Sequence, residues 1–115
     1  MSGTNELLVQ IGDSGGIETS GYLSTGQTTT EGATTSTTGF IMQCGGATSL
    51  SSGHMILTLL NSATFLWTES YTSKSSGVSS WGGGDKTLSA ELTQLTILLS
   101  GADTFDAGSV NIMYI

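Results

Sequence analysis

Apolar residues in this chain come in short runs set between clusters of glycine. The runs are "ELLVQI" at 6–11, "GFIMQC" at 39–44, "HMILTLL" at 54–60, "ATFLWTESY" at 63–71, "ELTQLTILL" at 91–99 and "SVNIMYI" at 109–115. "IETSGYL" at 17–23 and "KTLSA" at 86–90 are weaker runs. Between them lie "GDSGG", a threonine-rich stretch, "GGATSLSSG", "SSGVSSWGGGD" and "GADTFDAG". Strand-length runs rich in β-branched and aromatic residues, bounded by glycine, predict all-β packing. Only "TLSAELTQLTILLS" at 87–100 has the spacing of an amphipathic helix. Its Thr93, Thr96 and Ile97 oppose that reading, because branching at Cβ restricts χ1 in a helix.

Alternation with period two adds the faces. Leu95, Ile97 and Leu99 share one side of a strand, with Gln94 and Thr96 opposite. Val110, Ile112 and Tyr114 share a side too, but their neighbours Met113 and Ile115 are also apolar. The run from Met55 to Leu60 is likewise apolar at both parities. The outer faces of a lone two-layer sandwich are polar, so such strands call for a cover on their second face. The pattern predicts one domain over 1–115, an antiparallel β-sandwich or jelly roll of about seven to eight strands. The 15-residue threonine-rich stretch at 24–38 reads as a surface loop or a sheet-to-sheet crossover.

Composition narrows the class. Glycine, serine and threonine supply 54 of the 115 residues, yet only 10% of residues are charged, which is not the composition of a disordered chain. A domain of this length buries roughly two-thirds of its unfolded surface. The net charge is −7, with two lysines and no arginine. Nucleic-acid binding needs several cations to displace counterions, so that partner is excluded, and the same sign disfavours an anionic bilayer. No apolar run reaches the length of a membrane-spanning helix, so no membrane insertion is expected. The single cysteine, Cys44, rules out a disulfide within the chain and a multi-cysteine zinc site.

Candidate chemistry is sparse. Gly12-Asp13-Ser14-Gly15-Gly16 matches the residues around the nucleophile of chymotrypsin-like proteases. That chemistry needs a histidine base and a carboxylate to orient it. The sole histidine, His54, follows the serine instead of preceding it, and the chain is too short for two barrels. A turn between two strands accounts for the same residues, through local hydrogen bonds of aspartate and serine and the φ freedom of glycine. Asp13, Asp85, Asp103 and Asp106 stand in glycine-rich stretches but match no calcium-loop spacing. No dinucleotide or phosphate-binding glycine pattern occurs, and no cofactor is expected. Glycoside hydrolysis requires two carboxylates at fixed separation, and none of the nine shows such a pairing. Trp67 lies in a strand-like run and reads as core or interface. Trp81 lies in a serine–glycine stretch, where an indole can serve as a stacking platform for sugar and glycine lets a ligand approach the backbone. Gly83 and Asp85 accompany it, and Tyr22 and the threonine-rich stretch are weaker candidates for the same contact.

The closing stretch "ADTFDAGSVNIMYI" has phenylalanine, two residues, glycine, a small hydroxyl residue and an alternating strand ending in tyrosine. It resembles the last strand of phage tail-fibre C-terminal β-sandwich domains, with Phe105, Gly108, Ser109, Val110, Ile112 and Tyr114 at the matching positions. "IGDSGGIETSGY" and "LTQLTILLSGADTF" are similar to the short Gly-Ser turn and the penultimate strand of such domains. Ile115 departs from their usual terminal glycine, and one or two leading strands are lacking, as in the C-terminal fragment of a longer fibre. The resemblance implies a virion tail-fibre tip that binds a bacterial surface glycan without covalent chemistry. Capsid decoration, or another structural virion role, is the alternative. It also implies a homotrimer, which would supply the cover demanded above, with Ile56, Leu60, Ile112, Met113 and Ile115 as interface candidates. Leaving these side chains in water would expose a patch seldom tolerated by monomers.

Overall fold

The computed structural model describes residues 7–30, 32–42, 51–75, 77–99 and 109–113. The described residues form an antiparallel β-sandwich of two sheets, with nine strands among them. In chain order these are β1 (Leu7–Asp13), β2 (Gly16–Ile17), β3 (Leu23–Thr28), β4 (Thr34–Ser36), β5 (Phe40–Met42), β6 (Ser51–Asn61), β7 (Leu66–Ser75), β8 (Val78–Thr87) and β9 (Gln94–Leu99). One sheet has β1 at its centre, with β9 along one edge and β5 and β2 sharing the other. The second has the order β4-β3-β8-β7-β6. β5 joins the layers, packing across onto β3, β8, β7 and β4.

The core is apolar where the first sheet meets the end of the second. Val9, Ile11, Tyr22, Phe40 and Leu88 form its buried centre, and Leu95, Ile97, Trp67, Met55 and Leu57 pack around them. Leu95, Ile97 and Leu99 pair with Ile11, Val9 and Leu7, so the alternation seen in the sequence marks the buried side of β9. Trp67 belongs to the core surround.

The strand count exceeds the seven or eight expected because two supposed loops are strands. The threonine-rich stretch is a hairpin, β3 and β4, and "VSSWGGGDKT" is the ten-residue β8. Neither announces itself by hydrophobicity, because the inward positions are small. Ser24, Gly26 and Ser80 are buried, and Gly82 and Gly84 share their face. Tyr71 of β7 occupies the space those residues leave. A Cβ on Gly82 would stand 2.6 Å from the Tyr71 ring, and one on Gly26 would collide with its hydroxyl. The ring therefore reaches across β8 toward Gly26 of β3, and its hydroxyl meets Ser80 Oγ of β8 at 2.7 Å. Glycine in a strand interior is unfavourable by itself and here marks a close approach.

The GDSGG stretch is the predicted turn. Ser14 and Gly15 cap the β1–β2 hairpin, in which Asp13 pairs with Gly16. Asp13 Oδ1 accepts a 2.8 Å hydrogen bond from the Gly15 amide, and Gly16 takes a φ of 127° that other residues avoid. A side chain on Gly12 would run into the returning backbone at Gly16.

The closing strand is not present among the described residues. Ser109–Met113 pairs with no described strand and is exposed throughout. Ile112 and Met113, which strand alternation would set on opposite faces, both face solvent. Cys44, Phe105, Gly108, Tyr114 and Ile115 lie outside the described residues.

Gly82→Ala is expected to destabilise the domain by at least about 2 kcal/mol, since the added methyl would collide with the Thr25 carbonyl oxygen of β3 and overpack a site already filled by Tyr71. Chemical denaturation measures this; an unchanged midpoint would mean that neither the β3 backbone nor Tyr71 closes over Gly82.

Candidate functional site

Strand register sorts the outer face of the five-stranded sheet into rows. Gln27, Trp81, Thr72 and His54 lie side by side on β3, β8, β7 and β6. The next row is Thr35, Thr25, Gly83, Ser70 and Ile56, and the one after holds Leu23, Asp85, Thr68 and Thr58. Trp81, Gly83 and Asp85 are thus on one face of one strand, at i, i+2 and i+4. The sequence reading placed them in a loop; they stand on β8, and the glycines around them serve the packing of Tyr71. Trp81 remains 43% exposed, in a surround of hydroxyl and amide side chains. A shallow depression beside it, of about 660 Å³, is lined by Leu23, Thr25, Thr35, Thr68, Gly83 and Asp85 among others.

Tyr22 does not join them. Its side chain is fully buried, edge-on to Phe40 at 5.1 Å. Its hydroxyl accepts from the Ile11 amide at 2.9 Å and reaches the Glu18 carbonyl at 2.7 Å. Burial pushes the phenol's pKa up. Tyr22 is a core residue that ties β1 to the second sheet, and the expectation of ligand contact there is corrected.

The protease-like residues also separate. Ser14 is exposed at the β1–β2 tip, whereas His54 lies on β6 of the other sheet. Asp13 turns to Ser89, whose hydroxyl donates to its carboxylate, and to the Gly15 amide; these two contacts hold its pKa below the ordinary value. Glu18 lies 2.7 Å from Lys86 Nζ, and that lysine is the first cause of its lowered pKa. Lys86 is buried and sits 5.2 Å from the Tyr22 ring centre. Ser89 donates its backbone amide to Glu18 as well, so the network fastens the hairpin to the end of β8. Among the described residues no three His, Cys, Asp or Glu side chains come together to hold a metal ion.

Glu69 differs from these. It lies on the inner face of β7, in register with Leu57 and Gly84, and both carboxylate oxygens are buried without a hydrogen-bond partner. Burial alone raises its pKa to about 7.

The interface candidates that fall among the described residues occupy two places. Ile56 and Leu60 are exposed on β6, which pairs with β7 and with no other described strand. Ile112 and Met113, with Ser51–Met55 of β6, border a cleft of about 760 Å³ whose apolar walls include Leu7, Val9, Met42, Leu95 and Ile97.

Compared with family models, with curated proteins and with solved structures, the chain matches none.

Glu69 makes stability depend on pH. Its folded pKa of about 7 exceeds the ordinary 4.5, so its contribution is complete below pH 4.5 and is lost as pH rises through 7. Relative to Glu69→Gln, the native chain should lose up to about 3 kcal/mol between pH 5 and pH 8. Parallel denaturation curves for the two proteins at both pH values measure it; a constant difference would mean that Glu69 is solvated or paired.

Proposed function

We propose that this domain is a non-enzymatic, glycan-binding β-sandwich of the tail-fibre tip type, which holds its ligand on the outer face of the five-stranded sheet. The observation that carries the reading is Trp81. An indole that is nearly half exposed on a strand face stands out among Gln27, Thr72, Thr25 and Ser70. Its ring offers an apolar plane for the C–H face of a sugar, and the neighbouring amide and hydroxyl groups can exchange hydrogen bonds with the sugar's own hydroxyls. Residues of this kind need no general base and no ion.

Threefold association belongs to the same reading. Ile56, Leu60, Ile112 and Met113 carry apolar surface on β6 and the segment beside the cleft. No Asp, Glu, Lys or Arg occurs from Ser51 to Asn61, so copies of an acidic chain can approach along β6 without charge repulsion. Burying such side chains is worth roughly 1.5–3 kcal/mol each, enough in three copies to offset the cost of association.

Trp81→Ala should abolish binding of purified protein to host cells while leaving the melting temperature within about 4 °C of the native value. Retained binding together with a large drop in melting temperature would make Trp81 a packing residue and sink the proposal. Light scattering after size exclusion should give three times the 11.7 kDa chain mass, and Leu60→Asp should reduce it to one. A native monomer at micromolar concentration would remove the threefold part.

A further inference from the structure

The three consecutive glycines of β8 do not share one explanation. Gly82 is held small by the Thr25 carbonyl oxygen and by Tyr71. Gly84 is held small from both sides, because a Cβ there would stand 2.5 Å from the Leu23 carbonyl oxygen and 3.0 Å from Glu69 Oε1. Gly83 points the other way. A Cβ on it would meet only the Glu69 carbonyl oxygen, at 3.3 Å, and no side chain. Its φ is not in the positive range. A bare glycine at such a strand position sacrifices stability that a β-branched residue would supply. No neighbouring side chain demands it, although the approach to the Glu69 carbonyl is tight and that backbone must give by a few tenths of an ångström.

Its consequence lies on the surface. Gly83 is the side-chain-free floor of the depression, with Thr25 and Ser70 on either side in register. Asp85 lies at one end of this floor with Leu23 and Thr68 beside it, and Trp81 stands past the other end, outside the depression's lining but two residues from Gly83 on the same strand face. Four residues of strand separate the ends by about 13 Å, longer than a single sugar ring. We infer that the site is a trough running along β8 and that its ligand is an uncharged oligosaccharide of more than one ring, one ring stacked on Trp81 and the next lying over Gly83 toward Asp85. The threonine hydroxyls and the Asp85 carboxylate then face ring hydroxyls, and exposed Leu23 meets a C–H face. Anionic glycans are disfavoured by Asp85 and by the chain's net charge of −7. This inference rests on the glycan-binding reading and adds to it the ligand's extent, direction and charge class.

The test uses the native full chain and immobilised oligosaccharides of glucose, galactose, mannose and N-acetylglucosamine, from single sugars to hexamers, with sialylated and uronic-acid counterparts. The expected result is binding of at least one neutral series that strengthens from monomer to trimer and then levels off. Gly83→Val should weaken the best trimer by at least about tenfold, with the protein still folded and melting cooperatively, since its Cβ meets only the Glu69 carbonyl. Ser79→Val puts the same side chain on the same face on the other side of Trp81 and should leave binding intact. Trp81→Ala should remove binding of every length. If Trp81→Ala abolishes binding while Gly83→Val does not, the trough is wrong and the stacking platform stands. Loss with Ser79→Val alone would reverse the direction and overturn the inference, as would equal affinity for monomer and trimer. Preference for the acidic counterparts would overturn the charge class. No binding by the native chain to any probe, charged or neutral, would overturn both the inference and the reading beneath it.

Discussion

Tyr71 can lie across the five-stranded sheet only because the strands beneath it carry glycine, Gly82 and Gly26, where its ring and hydroxyl pass. Its hydroxyl is on Ser80, its ring is over Gly82, and its far end is where any side chain on Gly26 would be. The same bare surface lets β5 come close, so that the Ile41 amide donates to Ser24 Oγ at 2.8 Å across the sandwich. One aromatic thus does in the second sheet what Val9, Ile11 and Phe40 do together in the first. Ladder hydrogen bonds hold β8 in the middle of its sheet, and the tyrosine makes up the packing that its glycines lack.

This division explains what could be read from the chain. Where inward residues are large, as in β1, β7 and β9, hydrophobic alternation locates the strand, and Leu95, Ile97 and Leu99 are on the side expected. Where inward residues are serine and glycine, as in β3 and β8, the period-two signal carries no hydrophobic contrast and the stretch reads as loop. Trp81, Gly83 and Asp85 were legible as residue types but not as one strand face. Thr25, Thr35 and Thr68, which border the depression, were hidden in what looked like uniform threonine. Tyr22 misled for a related reason. It follows a glycine in a polar stretch, and its partner Phe40 is distant in sequence, so only the tertiary contact shows that it is buried.

Two kinds of carboxylate coexist in the structure. Asp13 and Glu18 are held ionised by Ser89 and Lys86 and fasten the β1–β2 hairpin. Glu69 sits among the packing of β6, β7 and β8 without a partner. Acid weakens the first pair and relieves the second, so the hairpin and the sheet respond to pH in opposite directions.

β8 is a strand whose two faces answer to different demands. Its inward residues, Ser80, Gly82, Gly84 and Lys86, are each fixed by a contact with the interior. Its outward residues, Trp81, Gly83 and Asp85, are fixed by none of those contacts. Heritable variation can therefore enter at every second position of a single ten-residue segment while the interior stays unaltered. Such a strand offers a lineage a surface that can drift quickly on a scaffold that cannot.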